Sequence, residues 1–272
     1  IEEREKPGTP GVLQILKAAM AFQVKDHMTV GRIEERESEL LEKTFERWIA
    51  HPGIEILGNQ DPERRVGIIS FNVKGTGDKL LHPKFATTLL NDLFGIQTRA
   101  GCSCAGPYGH RLLGIGHELS EKYREWIAKG YSGVKPGWCR VSLHYVMDDL
   151  EFEYILDAVE FVAEHGHHFM ELYDFVLCTG AWQHKQDPVV LQEFSLETAL
   201  NCDHEVLTSI DIELRKQQYG YAMSEARRMA EELAQQGPAK EVFLDGVLGE
   251  LQFFSLPEIC LSETSWEMAK QA

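Results

Sequence analysis

Apolar positions recur every three or four residues through much of the chain and alternate in a few shorter stretches. The first such stretch follows Thr9, which can cap a helix, and Pro10, which suits a first turn; Val12, Ile15, Leu16 and Ala19 then share one face. A longer helix is predicted after Thr29, with Ile33, Leu40, Leu41, Thr44 and Trp48 on its buried stripe, stopping before His51, Pro52 and Gly53. Residues 54–57 and 66–73 (VGIISFNV) read as strands, and the polar connection at 59–65 makes an antiparallel pair. Pro83–Phe94 reads as a helix through Phe85, Leu89, Leu90 and Leu93, with Gly95 as its C-terminal stop.

A short strand at 96–99 then leads into residues 99–109, RAGCSCAGPYG. A helical stretch follows, broken near 130–137, then a strand at 138–145 (WCRVSLHY). A helix starting at Asp148 or Asp149 carries Phe152, Ile155, Leu156, Val159 and Val162 on one face. This succession predicts an α+β fold, an α/β sandwich with a small, mainly antiparallel sheet and helices packed on it. The last hundred residues are less regular. Residues 221–236 have helical spacing (Ala222, Ala226, Met229, Leu233), and 242–256 look like a strand pair turning at Asp245 and Gly246. The polar EHGHH run marks the best boundary, so the chain divides into residues 1–50, 51–165 and 166–272. No internal repeat or low-complexity tract is visible.

Composition narrows the partners. Asp and Glu number 43 against 27 Lys and Arg, a net charge of −16, which argues against a general nucleic-acid or anionic-membrane surface. A local basic pocket for a small anion stays open. No apolar run is long enough to span a bilayer. The start, IEEREKPGTP, has neither signal-peptide nor transit character, and it opens on Ile1 rather than Met, so a natural start and a targeting segment can lie upstream. The six cysteines (Cys102, Cys104, Cys139, Cys178, Cys202, Cys260) are too sparse for a disulfide scaffold, which points to a reducing compartment, the cytoplasm, without excluding an organelle. No CxxC pair supports structural zinc, and no metal site is expected.

The cysteine loop is where chemistry concentrates. A cysteine among small residues, beside Arg99, can stay accessible and have its thiolate favoured by nearby positive charge. The glycines at 101, 106 and 109 give the loop backbone unusual freedom. The plainer reading is that Cys102 and Cys104 are two small apolar residues in a glycine-rich turn. The histidines at 165, 167 and 168 read as a solvated helix end before a metal site.

The pattern Arg99-x-Gly101-x-x-Cys104-Ala105, after Phe94, Gly95 and Ile96, resembles the active-site cysteine loop of class V aminotransferases of fold type I, particularly their cysteine desulfurase and selenocysteine lyase branch. Gly8-Thr9 before a helix, the tract RVGIISFNV, the helix Pro83–Phe94 and the strand WCRVSLHY fall in that family's order, over about residues 1–165, its C-terminal small domain and the approach to it. The resemblance implies pyridoxal 5′-phosphate as cofactor, an amino-acid substrate and a homodimer. Cys104 then stands at the nucleophile that takes sulfur from a cofactor-bound cysteine. Arg140 stands at the arginine that grips the substrate α-carboxylate, against the alternative of a surface arginine at a strand end. Arg99 anchors substrate or sets the loop charge, or simply holds the loop. Gly8 and Thr9 stand at the pair that reaches the cofactor phosphate of the neighbouring subunit, although a helix N-cap explains Thr9 equally well. Cys102 departs from the short-loop pattern of desulfurases and leaves open which sulfur reacts.

A pyridoxal-phosphate enzyme also needs a Schiff-base lysine and an acid for the pyridinium nitrogen. The resemblance places both on a large domain upstream of Gly8-Thr9. His184-Lys185 reproduces the dipeptide that often carries the cofactor, but it lies downstream of the small domain and without the usual context. Two functions therefore stand. One is the C-terminal portion of a class V pyridoxal-phosphate enzyme that abstracts sulfur from L-cysteine with the help of its large domain. The other is a non-catalytic truncated or split-gene relative serving as a dimerisation or partner-binding subunit.

Overall fold

The computed structural model describes residues 4–5, 8–9, 11–101, 106–186, 195–197, 211–237, 240–261, 265 and 267. Its centre is a four-stranded antiparallel sheet of order β1-β2-β4-β3, built from Ile54–Ile56 (β1), Ile68–Val73 (β2), Arg99–Gly101 (β3) and Trp138–Ser142 (β4). The expected pairing of the first two strands is present, with Ile54 opposite Val73 and Ile56 opposite Phe71. Because side chains alternate across a strand, Ile69, Phe71 and Val73 of β2 and Cys139 and Val141 of β4 face one side. All five are buried.

Three helices cover that side. In α2 (Val30–Trp48) the buried residues are Leu40, Leu41, Thr44, Phe45 and Trp48, so four of the five expected stripe positions pack, Phe45 joins them, and Ile33 stays half-buried. Trp48 meets Phe71 with ring centroids 5.1 Å apart. The helix α3 (Pro83–Phe94) has the expected bounds and ends on Gly95 at φ 67°, where Gly95 N–H donates to Asn91 O and Ile96 N–H to Leu90 O. In α6 (Asp149–His165) the Asp148 carboxylate accepts from Glu151 N–H as the N-cap. Arg47 of α2 forms ion pairs with Glu153, Asp157 and Glu160 of α6, joining the two helices at their outer edge.

The first helix departs from expectation. α1 spans Val12–Met28, Gly11 stands at its N-cap, and no side chain caps it, so Thr9 is not the cap. Val12, Ile15 and Leu16 are exposed rather than packed, since none of the residues of α1 is buried. β4 is also shorter than the expected 138–145, because His144 begins a turn closed by Met147 N–H to His144 O.

Beyond α6 the chain turns through a 3-10 segment, Gly166–Leu172, into a hairpin, Tyr173–Val176 (β5) with Ala181–His184 (β6), which periodicity did not foresee. The hairpin lays Tyr173 and Trp182 on Phe85 of α3, at centroid distances of 5.3 and 4.7 Å. Two helices between the sheet strands, α4 (Gly106–Leu112) and α5 (His117–Ala128), occupy the expected helical stretch. α7 spans Ile212–Ala234, nine residues longer at its start than the sequence implied, and its N-cap is Asp211. The expected strand pair at 242–256 is absent: a short helix, α8 (Gly246–Leu251), stands there instead. The side chain of Gln252 performs the work of a second strand, accepting from Leu244 N–H and donating to Val242 O and Phe254 O. The ends of the segment still pair antiparallel, Val242 N–H donating to Leu256 O beside a Glu241–Pro257 bridge, while Leu80 donates to Phe253 O and accepts from Ser255 N–H. Phe169, Phe175, Trp182, Ala226, Leu248 and Phe254 join the same hydrophobic cluster as the sheet and its helices.

His82, the N-cap of α3, ties these parts together. Its Nδ1 accepts from Lys84 N–H at 3.2 Å, so Nε2 carries the proton and donates to Gly133 O at 3.1 Å. Phe175, Trp182, Phe253 and Phe254 surround the ring. Burial holds its pKa down to about 3 despite the Gly133 bond, from an ordinary 6.5. The folded state therefore takes up the proton later than the unfolded chain, and stability is lost as pH falls from 6.5 toward 3. Urea unfolding at several pH values should show this loss, at no more than about 1.4 kcal/mol per pH unit for one group. His82→Asn, which keeps an N-cap acceptor without a titrating ring, should lose less over the same window.

Candidate active site

The outer face of the sheet, away from the three helices, carries Arg99 and Arg140, the two arginines the sequence singles out. β4 is central, and its partners on either side fix what stands beside Arg140. Ser70 of β2 is opposite it on one side and Arg99 of β3 on the other. Directly paired residues share a face, so Ser70, Arg140 and Arg99 form one row across three strands. The neighbouring row faces inward: Ala100 pairs with Cys139, whose buried thiol donates to Pro83 O and is pushed up to about 12 by desolvation. Cys139 is thus a core residue without thiolate character.

Like charges at paired strand positions repel. Arg99 and Arg140 therefore stand as a like-charged pair, and a guanidinium fork is a group that can meet a carboxylate in two parallel hydrogen bonds. Arg140 is half-buried and Arg99 exposed, an arrangement open to a small ligand on the outer side. Next along β3, Gly101 pairs with Trp138 and adopts φ 118°, a conformation that favours glycine. A Cβ on the facing Gly137 would lie 2.8 Å from Gly101 Cα, so both strand ends need glycine to approach this closely. Residues 102–105, with Cys102 and Cys104, lie outside the described residues; the chain resumes at Gly106 in α4. The root of the loop is therefore pinned by the pair that follows the two arginines.

The same outer face opens into a groove of about 650 Å³, floored by Ile68, Ser70 and Trp138 and walled by Tyr108 and Leu112 of α4 and by Arg64 and Arg65. Arg65 is held in place by donating to Leu57 O, Asn59 O and Ile68 O. Ser70, Trp138 and Tyr108 were not singled out by sequence reasoning. Strand alternation in VGIISFNV marks Ser70 as outward-facing, but only the register of β2 on β4 sets it beside Arg140.

The other sequence candidates fall elsewhere. Gly8 and Thr9 are exposed ahead of α1, none of whose residues is buried. Lys185 Nζ donates to two main-chain carbonyls, Glu171 O at 2.8 Å and Ile259 O at 3.0 Å, and so clamps the 3-10 turn to the C-terminal segment. The rings of His167 and His168 are 3.9 Å apart and half-buried beyond α6. Among the described residues no group of three or more His, Cys, Asp or Glu could hold a metal ion, and no helix is long and apolar enough to cross a membrane.

The class V aminotransferase family model matches residues 2–155, and the chain belongs to that family. No curated protein matches it. Among solved structures it is similar to the apo cysteine desulfurase from Thermococcus onnurineus NA1, at 26% identity, with a TM-score of 0.46, over 60% of this chain and 34% of that one. The match spans about a third of that protein's length. Class V aminotransferases depend on pyridoxal phosphate, which needs an amine for its aldehyde and a cradle for its phosphate. The described residues do not assemble that site by themselves. The Lys185 amine is committed to two carbonyls, and among the described residues a Cβ built on Gly8 meets nothing within 4 Å.

If Lys185 is a structural clamp, Lys185→Ala should leave absorbance at about 410–430 nm after adding pyridoxal phosphate equal to that of the parent chain. The same variant should unfold slightly more easily in urea, by about 1 kcal/mol or less for an exposed amine.

Proposed function

We propose that this chain is the C-terminal portion of a pyridoxal-phosphate enzyme of the cysteine desulfurase type, supplying the cysteine loop and the carboxylate-binding arginine. The observation that carries this reading is the register of β3 on β4, which sets Arg99 opposite Arg140 at the root of the loop. In it, residues 1–50 lead from the cofactor domain, 51–165 form the small domain, and 166–272 extend that domain. The cofactor belongs to a lysine-bearing domain outside residues 1–272; when bound, it makes the substrate's carbon–sulfur bond breakable. Gly8 and Thr9 reach the cofactor phosphate of a neighbouring subunit in a homodimer, and a reducing compartment such as the cytoplasm keeps the thiols free.

The residues of this chain then have distinct tasks. Arg140 binds the α-carboxylate of L-cysteine through its planar fork, and Arg99 neutralises and anchors the same end of the substrate. With that end fixed, the sulfur is held toward the loop, where the Cys104 thiolate meets it. A sulfur–sulfur bond forms as the substrate's carbon–sulfur bond breaks, and the carbon left behind gains a proton. Cysteine and the Cys104 thiol thereby become alanine and a Cys104 persulfide. The atoms balance with no outside oxidant or reductant. Of the two sulfurs, Cys104 is the nucleophile because it stands at the family's position; Cys102 is a second thiol within reach of the same loop.

The test uses the polypeptide together with its lysine-bearing domain and L-cysteine. Persulfide should form in the parent and in Cys102→Ala and should be lost in Cys104→Ala. Arg140→Lys, which keeps the charge but not the fork, should lower kcat/KM for cysteine by about 10- to 100-fold. Persulfide retained in Cys104→Ala but lost in Cys102→Ala would move the nucleophile, and persulfide in the double variant would sink the reading.

A further inference from the structure

Three segments meet beside β3: the start of α3, the turn at residues 132–137 and the turn of the β5–β6 hairpin. Hydrogen bonds lock them together. His82 donates to Gly133 O, Gly133 N–H donates to Leu177 O at 2.8 Å, and Lys84 Nζ donates to Thr179 O at 2.6 Å. The backbones also approach more closely than side chains allow. A Cβ on Gly133 would lie 2.6 Å from Leu177 O, and one on Gly180 would lie 3.1 Å from Gly133 Cα. These contacts wall a cavity of about 420 Å³ whose shape the surrounding backbone already sets.

Its charge is unlike that of the rest of the chain. Lys84, Lys135 and Arg99 line it, and no Asp or Glu does among the described residues. Acidic residues outnumber basic ones 43 to 27 overall, so three cations gathered without a carboxylate run against the composition. Lys84 also stands in the first turn of α3, where the positive end of the helix opposes a cation. Its amine is held below the ordinary lysine range, first by burial and then by the neighbouring charge of Lys135. The fold thus maintains a concentrated positive charge that nothing described in the protein neutralises.

We propose that this cavity binds a tetrahedral oxyanion carrying two negative charges, either free phosphate or sulfate or the phosphoryl end of a small phosphate ester. Arg99 offers a fork suited to two oxygens, and the lysines act as point charges on the others. The volume leaves room for a small organic group beyond the anion. Gly101, the residue before the cysteine loop, lines the same cavity, so an occupant rests against the root of that loop. The site shares Arg99 with the proposed cysteine site, whereas Lys84 and Lys135 belong to this cavity alone.

Isothermal titration calorimetry of the 272-residue chain with sodium phosphate, sodium sulfate and glycerol 3-phosphate, each at matched ionic strength, tests it. Saturable binding is expected, and Lys135→Glu should weaken it about tenfold or more. Lys17→Glu makes the same change in net charge on exposed α1 and should leave affinity within about twofold. Circular dichroism confirms that each variant keeps its fold. Tighter binding of the ester identifies an organic phosphate, and equal or weaker binding identifies the free anion; both support the site. Equal weakening by the two variants, or the same heat from sodium chloride, would overturn it, as would no saturation with any of the three anions.

Discussion

A strand with a repeat of two cannot bury Cys139 and Val141 without turning Arg140 the other way. That constraint on β4 organises the molecule. Its inward residues complete the floor on which α2, α3 and α6 pack, and its outward arginine stands between Ser70 and Arg99. Shifting β4 by one residue would expose the core row and bury a guanidinium at once, so packing and site share one register. The hydrophobic core thereby fixes which side chains stand on the opposite face.

The second organising element is the start of α3. His82 caps the helix with one ring nitrogen and reaches the 132–134 turn with the other, inside a ring of aromatic side chains. Residues from the far end of the chain, Phe253 and Phe254, close that ring. The C-terminal part is consequently packed into the structure that supports β3 and the cation-lined cavity. The arginine-bearing face and this cavity adjoin at Arg99 and Gly101, where the cysteine loop begins.

Local signals were legible where a segment satisfies its own backbone. The stripe of α2, the stop at Gly95 and the cap at Asp148 are all decided within a few residues, and each stands as the sequence implies. Reading failed where partners are distant. Residues 242–256 alternate well enough for a hairpin, but Gln252 and Leu80 supply the hydrogen bonds that a second strand would need. β5 and β6 gain their stability by laying Tyr173 and Trp182 on Phe85, a contact no local period announces. In α1 a periodic apolar face remains exposed, because periodicity shows that a face can pack and not that anything in this chain packs on it.

The sequence alone determined the α+β class, the faces of α2, α3 and α6, and the family, through the ordered motifs around Arg99, Cys104 and Arg140. Propensity, capping and short-range spacing suffice for those. Tertiary structure decided that Ser70 shares a row with the two arginines, that Lys185 is a clamp rather than a cofactor anchor, and that Lys84, Lys135 and Arg99 surround one cavity. Each depends on strand register or on backbone segments far apart in the chain coming within contact distance. Such proximity is set by how the whole core closes, and no local pattern of residues encodes it.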